Sequence, residues 1–409
     1  MAIHPVFLVS FVSLLARRGD LVSTSVLDDT VLTPQTRTTS AGIRRRTPFS
    51  PLFSQLSQKQ IAENIQASYL EPLLDQAGLN IKRDNIVVDN LSDLGFSNNV
   101  FRVEVNNHND NHQQSKKKIL VAKIFSDLAK KRVDPNQNFM GEVDELLHNE
   151  CLGPKVLAHT PDALLMEYID GHVLTESIIF DPHNGLSICS AVGDALGRMH
   201  SLQGVHTDTD VQCTNNNMLW HALDVMLSSI DEKFQLSTPS GDTWTLAKLQ
   251  DTIGICRDRL EGLKAPCVPV GHGDFKLSNV MMTGATNEIR FIDFELTGTH
   301  YRGYDLAKFF RSSTQSTSPD IRARHQKAMW ESYHRRTGDG IDLSASSLAE
   351  AVSQLEWEAQ LLEPMTWLEA AAFFLSMATL DDPSQKEKWN GLAQSRLLSF
   401  ETMNANVKT

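Results

Sequence analysis

A chain of 409 residues is long enough to bury a sizeable core. Its formal net charge of −12 argues against a general nucleic-acid binder, which carries a basic patch or excess. Five cysteines (Cys151, Cys189, Cys213, Cys256 and Cys267) without a closely spaced pair exclude a zinc site or disulfide framework from the expectation and favour reduced thiols.

Residues 1–57 combine an apolar stretch, Arg17-Arg18 and a Ser/Thr/Arg-rich tract. They read either as a signal or transit leader or as a disordered extension. Cytoplasmic localisation goes with the second reading, and an organelle or the secretory route with the first. No apolar run reaches the roughly 18 to 20 residues of a membrane-spanning helix, so no transmembrane segment is expected.

From 58 to 77, Ile61, Ile65, Tyr69 and Leu73 recur at helical spacing and predict a helix broken at Pro72. Two apolar runs between 85 and 105 then flank the small-residue turn that contains Gly95, Ser97 and Asn98. Such a turn can lay N–H groups and the Ser97 hydroxyl over phosphates; an ordinary hairpin turn reads the same way. Residues 106–118 form a polar insertion. The apolar strand 120–125 carries Lys123, whose burial is costly without a charge partner, so Lys123 reads as a nucleotide lysine or as a solvent-facing residue on an edge strand. In the next helix Val143, Leu146 and Leu147 make the buried face, and Glu142 and Glu145 flank it as candidate partners for that lysine. The strand 164–168 runs into a turn at Gly171. Beyond it the chain reads as helical over 188–200, 218–230, 246–263, 321–335, 347–362, 367–380 and 392–400.

Between the third and fourth of these helices lies the stretch with the densest chemistry. Asp274 precedes Asn279 by the interval that separates catalytic aspartate from metal-binding asparagine in a protein-kinase catalytic loop. Two apolar runs, 280–282 and 289–292, flank turn residues and predict a hairpin that delivers Asp293 beside Asn279. Glu295, two residues on, falls on the same side of an extended chain. These groups suit phosphoryl transfer, in which the protein supplies positioning and charge neutralisation: Asp274 orients the attacking hydroxyl, while Asn279 and Asp293 offer oxygens to Mg²⁺. The alternative is a surface hairpin with scattered acids.

HGDFKLSNVMM, followed by IRFIDFELTGTHYRGYDLAKFF, resembles the choline/ethanolamine kinase family, itself similar to aminoglycoside phosphotransferases and protein kinases. The resemblance implies an α+β, bilobal protein-kinase-like fold. An antiparallel-sheet lobe would span 58–168 and a mostly helical lobe 169–403, with a tail at 404–409. It implies ATP and Mg²⁺ as cofactors and a small amino alcohol, ethanolamine or choline, as the acceptor. Ser97 and Asn98, in GFSNNVF, would cover phosphates. Lys123 would pair with Glu142 in preference to Glu145, and the backbone of Glu167 and Ile169 would read adenine. Asp274, Asn279 and Asp293 would be catalytic, with Asn279, Asp293 and Glu295 holding metal. Asp274, Glu295 and Tyr301 would meet the acceptor. A homodimer is compatible with the resemblance. Two other readings stay open, a kinase for another small hydroxyl substrate and a non-catalytic kinase-like scaffold. The chain departs from the family at Leu296, at Arg311-Ser312-Ser313 and in WLEAAAFFLSMAT, where the usual tryptophan pair is missing. Trp367, Phe373 and Phe374 remain there as cage or core.

Overall fold

The computed structural model describes residues 69–79, 86–91, 98–107, 116–133, 141–203, 217–284, 286–311, 317–338 and 345–406. Our readings of 1–57, of most of the first helix, of Ser97 and of Cys213 lie outside these residues. The described part of that helix, α1 (Glu71–Gln76), has Pro72 in its first turn, where a proline removes no intrahelical hydrogen bond.

An antiparallel sheet comes first, built from β1 (Ile86–Asn90), β2 (Asn98–Asn107), β3 (Lys116–Phe125), β4 (Val156–Thr160) and β5 (Ala163–Glu167), in the order β1-β2-β3-β5-β4. Strand β3 is therefore central, and Lys123 is not an edge residue. Alternation fixes which way it faces. Leu120, Ala122 and Ile124 share one buried cluster with Phe101, Val103, Val105, Leu70 and the α1 residues Leu73 and Leu74. Lys123 has the opposite parity and points out of that cluster, towards the rest of the site. Two short helices follow β3, α2 (Asp127–Arg132) and α3 (Glu142–Asn149).

The remainder is mostly helical. Strand β6 (Gly171–Val173) is followed by α4 (Gly185–His200), α5 (Met218–Ser228), the small hairpin of β7 (Gln235–Ser237) and β8 (Thr243–Thr245), and α6 (Leu246–Gly262). Strands β9 (Cys267–Gly271), β10 (Val280–Thr283), β11 (Ile289–Phe291) and β12 (Gly298–Tyr301) carry the central stretch. The chain ends in α7 (Arg302–Phe310), α8 (Pro319–Thr337), α9 (Ala345–Leu380) and α10 (Lys386–Asn406). The two helices expected at 347–362 and 367–380 are one, with Pro364 inside it. A helix-interior proline costs about 3 kcal/mol. Here Leu361, Leu362, Met365 and Leu368 are all buried around it, and that burial outweighs the local cost.

Helices α4 and α8 touch backbone to side at Gly193, where an added Cβ would lie 2.1 Å from the Met329 carbonyl oxygen. Gly193→Ala is expected to lower stability by about 1 to 3 kcal/mol, read as the denaturant midpoint; an unchanged midpoint would contradict this close approach. The expectation of reduced thiols holds for Cys151, Cys189 and Cys256, which are free. It fails for Cys267, which is disulfide-bonded.

Candidate active site

The hairpin appears as the sequence predicts, with Val280 opposite Phe291 and Met282 opposite Ile289. The Ile292 amide donates to the Asn279 carbonyl at 3.0 Å, which sets Asp293 beside the loop that carries Asn279 and Asp274. Strand β9 delivers that loop by pairing with β12, with Gly271 opposite Gly298. Gly273 sits at φ +75° with the Leu296 carbonyl oxygen 2.4 Å from where a Cβ would be, so the middle residue of His-Gly-Asp has to be glycine.

Asp305 fastens the loop from below. Its carboxylate accepts the amides of His272 at 2.7 Å and Gly273 at 3.0 Å. Its Oδ2 also contacts His200 Nε2 at 3.1 Å, while His200 Nδ1 lies 2.8 Å from the Tyr333 hydroxyl. Burial pushes the Asp305 carboxyl up, but the hydrogen bond and charge of His200 and the neighbouring His300 and His272 outweigh it and hold the group at about 2. His200 is thus a structural residue under the loop.

Asp274 is surrounded by donors. Asn279 Nδ2 donates to its carbonyl at 2.9 Å and to Oδ2 at 3.0 Å. Lys276 lies 2.8 Å from Oδ2, and Lys308, on α7, lies 3.0 Å from Oδ1. Burial opposes ionisation here, yet the two ammonium groups prevail and hold the carboxyl far below the usual carboxylate range. Asp274 is therefore ionised and fixed in orientation. Because the Asn279 nitrogen is turned to Asp274, its amide oxygen is the atom left to meet a cation.

Lys123, on β3, pairs with Asp293 and lies 3.1 Å from Glu295. Burial lowers the Lys123 pKa, and the two carboxylates more than reverse that, so the amine is charged. Asp293 itself has φ +72° and ψ +60°, and the next three residues form a 3-10 turn. The chain is not extended after Asp293. That turn brings Glu295 to Asn98 and Arg132 as well as to Lys123, the partner it shares with Asp293. Burial pushes the Glu295 carboxyl up, and the charges of Lys123 and Arg132 together with the Asn98 hydrogen bond hold it at about 2. Both its oxygens are engaged, so an acceptor ammonium or a metal would first have to displace an internal cation.

Three further readings change. Glu142 is exposed, and so is Glu145; the buried acid of α3 is Asp144, which feels the field of Lys123. Burial raises the Asp144 carboxyl to about 6, and Lys123 opposes that rise. The amphipathic reading placed the acids on the rim of the buried face, but Asp144 lies inside it. Asp144→Ala is expected to raise the KM for ATP several-fold more than Glu142→Ala, by kinetics at saturating acceptor; the reverse order would restore Glu142. Tyr301, the last residue of β12, is 1% exposed and accepts from Trp220 Nε1 at 3.2 Å, so its ring and hydroxyl are packed in the core. The Glu167 amide donates to the Lys155 carbonyl at 2.9 Å, which leaves only its carbonyl side to an adenine edge, with Ile169 half-buried two residues on.

The aromatic residues of the late helices are also filled. Trp367, Phe373 and Phe374 are all buried. Arg132 lies 5.1 Å over Phe373, and Phe374 stacks on Trp389 at 5.9 Å. They are core residues with internal cations, not an open cage.

Sequence reasoning missed Arg132, Asp144, Lys308 and Glu369. Lys308 gave the same signal as Lys123, a lysine inside an apolar run, here Leu306-Ala307-Lys308-Phe309-Phe310. It is 2% exposed, bonded to Gly273 O at 3.0 Å and to Glu369 at 3.1 Å, and so ties α9 to the catalytic loop. Among the described residues no cluster of three or more His, Cys, Asp or Glu could hold a metal alone. One carboxylate and one amide oxygen, Asp293 and Asn279, still fit Mg²⁺ carried on a nucleotide, because that ion takes few protein ligands besides phosphates and water.

The choline/ethanolamine kinase family matches residues 88–336. This chain belongs to that family. The family consists of small-molecule kinases that use ATP. Among curated relatives, an ethanolamine kinase of Drosophila melanogaster is 25% identical over 199 residues, 47% of this chain and 36% of that protein. A probable choline kinase of Arabidopsis thaliana is 27% identical over 178 residues, 42% of this chain and 47% of that protein. The aligned parts thus span half or less of either relative. The fold is similar to that of an ethanolamine kinase of Plasmodium vivax (TM-score 0.61, 16% identity, 84% of this chain and 89% of that one). It is also similar to that of a choline kinase of Cryptosporidium parvum (TM-score 0.54, 15% identity, 86% and 96%). An N-terminal antiparallel sheet followed by a mostly helical region is common to them. Among the described residues no helix is long and apolar enough to cross a membrane.

Proposed function

We propose that the chain transfers the γ-phosphoryl group of ATP to the hydroxyl of a small amino alcohol. The observation that carries this reading is the run of contacts from Lys123 to Asp293, from the neighbouring Ile292 amide to Asn279 and from Asn279 to Asp274, with Asp274 ionised and held by three donors. Asp274 accepts a hydrogen bond from the acceptor hydroxyl and aims its oxygen at the γ-phosphorus. As the new P–O bond forms and the bond to the β–γ bridging oxygen breaks, ADP leaves and the hydroxyl proton passes to Asp274. A carboxylate held this far below its usual range is a weak base, which suits a loose transition state in which the proton moves late. Lys123, charged and buried, is free to exchange Asp293 for nucleotide phosphates. Mg²⁺, when bound, neutralises phosphate charge, and Asn279 and Asp293 are the residues that would hold it.

The family, the ethanolamine kinase names among its relatives and the carboxylates Asp274 and Glu369 support an amino alcohol. The burial of Trp367, Phe373 and Phe374, the late aromatics among the described residues, favours a primary over a quaternary ammonium. Cation–π contacts contribute about 0.5 to 2 kcal/mol each, whereas a primary ammonium keeps its hydrogen bonds to carboxylates. Ethanolamine is therefore expected to be used at least as well as choline, compared as kcat/KM. A large preference for choline would contradict the ordering, and failure of both would leave another small hydroxyl compound as the acceptor.

A further inference from the structure

Lys308 has no part in the transfer as described above, although its Nζ stands 3.0 Å from Asp274 Oδ1. Its side chain is 1% exposed, against 8% for Lys123 and 4% for Arg132. Nζ donates to the Gly273 carbonyl at 3.0 Å, to Glu369 Oε2 at 3.1 Å and to the Tyr304 hydroxyl at 3.3 Å, which accounts for the three N–H bonds of an ammonium. The Tyr304 ring, one turn back on α7, covers the same nitrogen with its centroid 5.1 Å away. Glu369, on α9, is itself buried, and Lys308 is its ion-pair partner among the described residues.

Stability does not account for an ammonium here. A buried ion pair can be replaced by apolar residues of similar volume with little loss and often a gain, and Lys308 lies in an otherwise apolar stretch, Leu306-Ala307-Lys308-Phe309-Phe310. What an apolar residue could not do is hold Asp274.

The terminal torsion of an aspartate is broad, so the carboxylate keeps one orientation only when both of its oxygens are held. Asn279 and Lys276 take Oδ2, and Lys308 is the cation at Oδ1. The two lysines are not equivalent. The Lys276 side chain is 39% exposed, so water and salt screen its charge, whereas Lys308 acts from a position nearly closed to water. Lys308 also bonds the carbonyl of the peptide that leads into Asp274, and so grips the backbone as well as the side chain of that residue.

We propose that, within the phosphoryl-transfer reading, Lys308 and Glu369 are a positioning pair: Glu369 holds the Lys308 ammonium, and Lys308 holds the Asp274 carboxylate in the orientation in which it meets the acceptor hydroxyl. Glu369 acts through Lys308, and Lys308 acts through Asp274. Neither meets the reacting atoms. Helix α9 thereby takes part in the chemistry without touching substrate, and a displacement of the carboxylate by about 1 Å is enough to cost roughly a hundredfold in rate.

The test sets turnover against binding. Lys308→Met keeps the reach of the side chain and removes its charge. It is expected to lower kcat about a hundredfold while the KM for the acceptor and the Kd for Mg-ATP change by less than about threefold, the pattern of an interaction made for the transition state. Glu369→Leu, which leaves Lys308 in place without its anchor, is expected to lower kcat about tenfold, also with little change in either binding constant. Lys308→Met alone leaves Glu369 buried without its partner, so the double variant Lys308→Met/Glu369→Leu is measured beside it. The double variant is expected to melt near the wild type and to lose no more kcat than Lys308→Met does, because the two residues act in series. A double variant that regains both melting temperature and kcat would reduce the pair to a structural role and overturn the proposal. One that melts far below the wild type would overturn it too, since stability would then account for the pair. Losses of kcat that multiply would part Glu369 from Lys308, and a loss carried by the acceptor KM would make the pair a binding contact; either contradicts positioning. No turnover of any small alcohol by a wild-type chain that binds Mg-ATP would overturn the transfer reading as well.

Discussion

Asp274→Ala is expected to reduce kcat by about 10²- to 10⁴-fold, the range typical of a positioned acid–base group, while changing Mg-ATP affinity by less than about threefold. The asymmetry follows from the geometry. Asp274 touches Asn279, Lys276 and Lys308 but none of the groups on the Lys123 side of the cleft. Its removal takes away the acceptor of the hydroxyl proton and one of the two carboxylates on Lys308. Part of the loss will be structural, because Lys308 is buried and keeps only Glu369 as a carboxylate partner. Asp274→Asn separates the effects, since it keeps the shape and a hydrogen-bond acceptor while losing the charge. A melting temperature near wild type with kcat still reduced at least about a hundredfold would assign the loss to chemistry. Near-wild-type turnover in Asp274→Ala would refute the role.

Asp293→Ala should cost as much activity but through both steps, with kcat falling by a similar factor and the Kd for Mg-ATP rising about tenfold or more, since charged hydrogen-bond and metal contacts are worth about 1.5 to 3 kcal/mol. Asp293 is the described carboxylate closest to Lys123, and the backbone tie from Ile292 to Asn279 makes it the anionic half of the metal pair. Its loss leaves Glu295, already shared with Arg132, as the ion-pair partner of Lys123 among the described residues. The amine is then drawn deeper, away from phosphates. Calorimetric titration of Mg-ATP into both variants checks the contrast; equal affinity in the two would remove the distinction between hydroxyl and metal roles.

The elements that local rules govern were legible from the sequence. Alternation put Lys123 on the face opposite Leu120 and Ala122, and two short apolar runs around turn residues gave the hairpin of β10 and β11. What failed depended on contacts between distant segments. Glu295 looked like a partner of Asp293 on an extended strand. It does share Lys123 with Asp293, but across a left-handed turn and not along an extended chain, and that turn also brings it to Arg132, which stands 163 residues earlier. Pro364 looked like a helix end because the burial on both sides of it is tertiary. Glu142 was placed on the rim of its helix correctly, but a rim position is not where a buried lysine finds a charge; Asp144, on the inner face, is closer to that field. The late aromatics could not be sorted into cage or core by spacing, because the residues that fill them, Arg132, Arg311 and Arg396, come from three separate elements.

The central claim is phosphoryl transfer to a small alcohol at Asp274, and phosphorus NMR of the reaction mixture tests it most directly. Purified chain with Mg-ATP should produce ADP and a new phosphomonoester signal in equal amounts, only when a small alcohol is added, and Asp274→Ala should produce neither at a comparable rate. ADP and inorganic phosphate formed without any dependence on acceptor, or no ATP consumption across neutral, cationic and acidic alcohols by a chain that binds Mg-ATP, would contradict the account.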